Sequence, residues 1–187
     1  MINRNKLAEM AFLISLVISG CSDKRNINIS PESQQSPSNM SRINPSCRLK
    51  VGSFYPVKKE VDGDTFWLED GCEGVKVRLI GIDAPESKNV FKKVKKEPFG
   101  DESTAFMSTL LKEQKIRIEY DIDTFDQHGR TLVYAYTESG IFLNKAMIDE
   151  GLAMISTFPP NVKYESLFYQ AQKIARKEQN NIWLGRE

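Results

Sequence analysis

Residues Val77-Arg78-Leu79-Ile80-Gly81-Ile82-Asp83-Ala84-Pro85-Glu86 constrain the fold more than any other stretch of the chain. Apolar residues at 77, 79, 80 and 82 would bury a strand, yet Arg78 sits among them. The run then ends in an acidic corner, Asp83 and Glu86 around an Ala-Pro turn. Delivering one arginine and two carboxylates to one place from a buried strand costs stability. The cost implies chemistry on a charged group, and the doubly acidic corner implies a hard metal ion.

The remaining pattern is of short strands separated by glycine turns. Arg48 to Glu60 is β-prone, Thr65 to Leu68 follows an Asp-Gly-Asp turn, and Val75 to Ile82 follows Asp70-Gly71. Ile116 to Tyr120 alternates as a half-buried strand, and Thr131 to Tyr136 follows His128-Gly129. Helices are expected over Asp101–Glu113 and Leu143–Glu150, the latter stopped by Gly151. A final helix carries an apolar stripe of Tyr164, Leu167, Phe168, Ala171, Ile174 and Ala175. Five strands with about three helices between and after them predict an α+β domain on a partly open, five-stranded OB-type barrel.

The 187-residue chain has more length than this domain needs, and the excess is N-terminal. Arg4 and Lys6 precede a short apolar run that stops at Ile18-Ser19-Gly20-Cys21, too short to span a membrane as a helix. Residues 1–20 read as a secretory signal. The Ser-Gly-Cys ending resembles a lipoprotein lipobox, which makes Cys21 the lipidated first residue of the mature chain. Residues 21–46, rich in Ser, Asn, Pro and Gln, form an expected disordered tether to the membrane. The folded domain is then 47–187, in an extracytoplasmic, membrane-anchored protein that reads as a monomer. Without the signal the net charge falls from +1 to zero, so any attraction to polyanions must be local. Export also favours a disulfide between Cys47 and Cys72.

Three segments carry candidate chemistry: Asp62-Gly63-Asp64-Thr65, the Arg78–Glu86 stretch, and Asp126-Gln127-His128-Gly129-Arg130. Carboxylates could hold a divalent cation through oxygen ligands. Two arginines match phosphate oxygens with planar donor forks. A further carboxylate could orient or deprotonate water. His128 is the only histidine, which excludes a zinc cluster and leaves a Ser-His-Asp triad without a partner motif; no Gly-Lys-Ser/Thr phosphate loop is present. A basic run, Lys88, Lys92, Lys93, Lys95 and Lys96 around Phe91, follows the acidic corner and reads as a funnel for a phosphate backbone.

These segments resemble the staphylococcal nuclease (thermonuclease) family. The resemblance spans Val57 to Leu184 and extends to Glu150-Gly151-Leu152-Ala153 and Asn181-Ile182-Trp183, in matching order and spacing. It implies Asp64 and Asp83 as Ca²⁺ ligands, joined by the Ala84 carbonyl. It implies Glu86 acting on the attacking water and Arg78 and Arg130 binding the phosphate. The implied reaction is Ca²⁺-dependent cleavage of DNA or RNA, leaving 3′-phosphate and 5′-hydroxyl ends. Two departures bear on substrate preference. Gln127-His128 replaces the family's Lys-Tyr, at positions that hold phosphate and sugar. The segment Met154 to Pro160 carries Phe158 where the family has tyrosines near the base. The alternatives are a non-catalytic nucleic-acid-binding module on the same barrel and a phosphodiesterase for small nucleotides.

Overall fold

The computed structural model describes residues 48–87 and 97–185. Cys21, where lipidation is expected, the expected tether 21–46, Cys47 and the lysine run with Lys92 and Lys93 lie outside the described residues. Among the described residues no helix is long and apolar enough to cross a membrane.

Strands β1 (Phe54–Asp62), β2 (Thr65–Leu68) and β3 (Val75–Leu79) form an antiparallel meander. Strand β4 (Gly81–Asp83) follows at once, then helix α1 (Gly100–Leu111), β5 (Lys115–Glu119) and β6 (Thr131–Thr137). Helix α2 (Leu143–Asp149), strand β7 (Met154–Ser156), helix α3 (Glu165–Lys177) and a 3-10 turn at Asn181–Trp183 complete the order. Five strands close a barrel in the order β1-β2-β3-β6-β5, as the strand pattern predicts. Among the described residues the one parallel contact is β3 on β6, with Arg78 opposite Leu132.

Alternation fills the barrel. Phe66, Leu68, Val77, Leu79, Ile116 and Ile118 are all buried inside it, while Arg78 and Arg117 point the other way. Each such apolar side chain contributes about 1.5–3 kcal/mol by leaving water. Strand β6 buries Val133, Tyr134 and Ala135 in succession, because helices cover its outer face: Tyr134 packs edge-on against Tyr164 just before α3.

Two expectations are corrected. The Val75–Ile82 run is not one strand. It follows the barrel to Leu79, bends at Ile80, and resumes as β4, which pairs with β7 instead. The bend needs Gly81, whose φ of 78° places any Cβ 2.7 Å from the Phe168 ring. The buried Asn144 amide secures it by donating to the Ile80 carbonyl at 2.8 Å. On α3, Phe168, Ala171 and Ala175 form the buried seam, whereas Leu167 and Ile174 are exposed. The helix is docked by one narrow line of residues rather than by the whole expected stripe.

Candidate active site

The site is built where β3, the β1–β2 turn and β4 meet. Asp64 follows the tight Gly63 turn, where a Cβ at residue 63 would stand 2.0 Å from Ser103 Oγ. The missing side chain lets α1 approach, and Ser103 in turn donates to the Leu152 carbonyl at 2.9 Å. Asp64 is therefore pressed inward, with 1 % of its surface exposed. Its Oδ2 accepts the Ala84 N–H at 2.9 Å and its Oδ1 accepts the Thr65 hydroxyl at 3.0 Å.

Arg78, opposite Thr65 on the neighbouring strand, reaches across to these acids. Its Nη1 donates to Asp64 Oδ1 in an ion pair. Its Nη2 donates to Asp83 Oδ1 at 2.7 Å and to the Ile82 carbonyl at 3.3 Å. One guanidinium thus gathers both carboxylates that the sequence singles out. Burial pushes the Asp64 carboxyl up, to about 7, against the Arg78 charge and the Ala84 N–H; nearby Asp62 adds to the rise. For Arg78 burial opposes the charge, but Asp64 and Asp83 outweigh it and hold the group above its ordinary value. Asp83 differs from Asp64 in exposure: 58 % of its side chain is open to solvent.

Glu86 lies just beyond, on the far side of the buried Pro85, and is exposed. Its backbone is clamped twice: its N–H donates to Glu97 Oε2 at 3.1 Å, and its carbonyl accepts the Glu97 N–H at 2.9 Å. Gly100 then packs so closely that a Cβ there would stand 2.2 Å from the Glu86 carbonyl oxygen.

Arg130 comes from the turn before β6. Asp126 builds this turn by accepting the backbone N–H of His128 and of Arg130, each at 2.9 Å. Its second oxygen accepts Arg130 Nε at 2.6 Å. Desolvation opposes its ionisation, yet these bonds and the Arg130 charge hold Asp126 below the usual carboxylate range. The parallel β3–β6 pairing brings Arg130 to the same cleft as Arg78. That cleft, about 400 Å³, also takes in Gln127, His128 and Phe158. Phe158 stands 72 % exposed at its rim. The turn behind it is pinned by Asn161, whose amide both accepts the Asp123 N–H and donates to the Asp123 carbonyl, each at 2.8 Å.

The structure thus gathers Asp64, Arg78, Asp83 and Ala84, and faces Arg78 and Arg130 onto one cleft. Glu86 sits at the adjoining corner rather than in the cleft lining. The sequence marks Asp126 only as part of the Asp126–Arg130 turn, with no role of its own, and gives no sign of Glu97, Asn161 or Phe125, the last half-exposed on the cleft wall. Only Asp126 had a signal, an Asp four residues before an arginine in a Gly turn. Cys72 is disulfide-bonded.

An OB-type barrel with two arginines on one cleft, beside paired acids, has the donors that a phosphodiester substrate needs. The family described as staphylococcal nuclease homologue matches residues 76–185. The thermonuclease of Staphylococcus intermedius is 41% identical over 132 residues, 71% of this chain and 77% of that protein. The thermonuclease of Staphylococcus hyicus is 38% identical over 129 residues, 69% of this chain and 75% of that one. Endonuclease YhcR of Bacillus subtilis is 31% identical over 134 residues, 68% of this chain but 11% of its own length. The chain belongs to the staphylococcal nuclease family.

Proposed function

We propose that this protein is a Ca²⁺-dependent endonuclease that hydrolyses DNA and RNA to 3′-phosphate and 5′-hydroxyl ends. The observation that carries the reading is the opening of Arg78 and Arg130 onto one cleft, next to Asp83 and the Glu86 corner.

Among the described residues no three His, Cys, Asp or Glu side chains converge on a point. A cation would therefore rest on Asp64, Asp83 and the Ala84 carbonyl, with water completing the shell. An all-oxygen, adaptable donor set of this kind fits Ca²⁺, and so few charged ligands predict weak affinity, Kd on the order of 10⁻⁴–10⁻³ M. When bound, such an ion polarises a phosphoryl oxygen and neutralises its charge.

The protein's own groups supply the rest. In hydrolysis a water oxygen bonds to phosphorus, the bond from phosphorus to the 5′-oxygen breaks, and that oxygen gains a proton. Negative charge builds on the non-bridging oxygens. The Arg78 and Arg130 forks, already held by Asp64, Asp83 and Asp126, would stabilise it with little reorganisation. Glu86, exposed yet fixed through its backbone to Glu97, would take the proton from water. Arg130 would also donate hydrogen bonds to the departing oxygen. Gln127 and His128 would contact phosphate and sugar, and Phe158 would stack on a base without offering it a hydrogen bond. The lysine run with Lys92 and Lys93 would draw in the phosphate backbone.

We further propose that the enzyme works outside the cytoplasm, lipid-anchored at Cys21 after removal of residues 1–20, with 21–46 as the tether. Cys47 would be the disulfide partner of Cys72.

Incubating the full-length chain with single- and double-stranded DNA, RNA and dinucleotides, with Ca²⁺ or chelator, tests the activity. Ca²⁺-dependent cutting of polymers is expected. Glu86→Gln and Arg130→Ala should each lower kcat by about 10²–10³-fold, as losing one preorganised transition-state contact does. Undiminished rates in both variants would overturn the assignments, and no cutting by the parent chain would overturn the reading.

A further inference from the structure

A second depression lies beside the catalytic corner, a dent of about 220 Å³ lined by Pro85, Glu97, Pro98, Phe99, Met154 and Ile182. It shares no lining residue with the 400 Å³ cleft. Five of its six residues are apolar, although it adjoins a corner whose other side chains are charged. Two of them flank Glu86 directly: Pro85 precedes it, and Glu97 clamps its backbone.

The β4–β7 ribbon joins dent and cleft. Gly81 lies opposite Ser156, and Asp83 lies opposite Met154. Side chains two apart along a strand share a face, so Gly81, Asp83, Met154 and Ser156 belong to one side of the ribbon. Gly81 and Ser156 line the cleft, and Met154 lines the dent. Asp83, exposed and bonded to Arg78, stands at the junction. The two ends are separated by two strand residues, roughly 7 Å, comparable with the stride of an extended polynucleotide.

We propose that the dent is a subsite for the nucleobase on the opposite side of the scissile phosphate from the base held in the cleft. The inference rests on the nuclease reading. A phosphodiester gripped at Arg78 carries a nucleoside on each side. With one in the cleft, the strand's other direction runs over Asp83 to Met154. There the base meets the exposed Pro98 ring, the half-buried Phe99 and the polarisable thioether of Met154, surfaces that stack on any base without reading its hydrogen-bonding edge. Two base sites astride the corner would fix the strand so that the phosphate cannot slide away from Glu86.

The test uses short single-stranded DNA in which only the central linkage is a phosphodiester, the others being methylphosphonates. The base is removed from the nucleotide on one side of that linkage or the other. For the wild-type full-length chain, each removal should lower kcat/KM about five- to tenfold or more, the range expected for one stacked base. Met154→Ala should abolish the penalty for one removed base and retain it for the other. Pro98→Ala, an exposed position, should weaken the same penalty, and Phe158→Ala should show the opposite pattern. Thermal melts establish that each variant is folded. Equal penalties in Met154→Ala, Pro98→Ala and wild type would overturn the subsite while leaving the nuclease reading intact. Failure of wild type to cut the fully based substrate would overturn both.

Discussion

Arg78 and Arg130 carry the same charge on the same cleft, yet their holders differ. Arg78 is bound by the two proposed metal ligands, so whatever engages Asp64 and Asp83 competes with it. Arg130 is bound by Asp126, which has no proposed contact with metal or substrate and serves as a positioning residue. Asp126→Asn keeps an acceptor for the two backbone N–H groups but loses the charge that aims the Arg130 side chain. A kcat loss of about tenfold to a hundredfold with little change in KM is expected, since small misplacements near the reacting atoms have that scale. The substitution also carries a pH signature. The folded-state pKa of Asp126 lies below its ordinary 3.8, so its stabilisation is complete above that value and is lost as pH falls through the lower folded value. Urea titrations should find wild type more stable than Asp126→Asn at pH 7, with the gap closing as the pH drops below 3.8; a gap constant with pH would contradict the pairing.

Among the elements, the start of α1 does more than cap a helix. Gly100 lets the helix come within contact of the Glu86 backbone, and Glu97 ties the same corner by two hydrogen bonds. Gly100→Ala, which introduces no charge and removes no catalytic group, should displace Glu86. We expect a kcat loss of roughly a hundredfold beside a stability loss of about 1–3 kcal/mol, read by cleavage assay and urea midpoint. Gly129→Ala is the contrast: its Cβ meets nothing within 4 Å, and only its φ of 73° is strained. Elements also show what the sequence revealed. Strands β3 and β5 were legible because buried and less buried residues alternate along them, and β2 and β6 because short β-branched and aromatic runs follow glycine turns. The β4–β7 ribbon was not, because three-residue strands carry too little pattern and the Gly81 bend hides inside an unbroken apolar run. Asp64, Arg78, Asp83 and Arg130 were legible as unlike residues in unlike places. Glu97 and Asn161 were not, because their partners, Glu86 and Asp123, lie far off along the chain.

For the molecule as a whole, the proposed cation site at Asp64 would couple stability to cation binding. Asp64 is buried, its carboxyl is raised to about 7, and it shares one guanidinium with Asp83. A ligand that binds only the folded state stabilises it by mass action, about 2.7 kcal/mol at a hundredfold excess over Kd. With the weak affinity argued above, 10 mM Ca²⁺ should raise the melting temperature by several degrees over chelator, at about 2–4 °C per kcal/mol for a chain of this size. Asp64→Asn should melt at one temperature in both conditions. A Ca²⁺-dependent rise that survives this substitution would place the cation elsewhere.

The parallel contact of β3 with β6 sets Val77 beside Thr131, strands that the chain makes far apart in time. Non-local pairings form late, after the loop entropy between them has been overcome. Arg78 can be in place once the first meander forms, but Arg130 reaches the shared cleft only when the barrel closes. A partly folded chain therefore holds half a cleft, so on the proposed roles of the two arginines the full capacity to cut nucleic acid would arrive only with the finished fold.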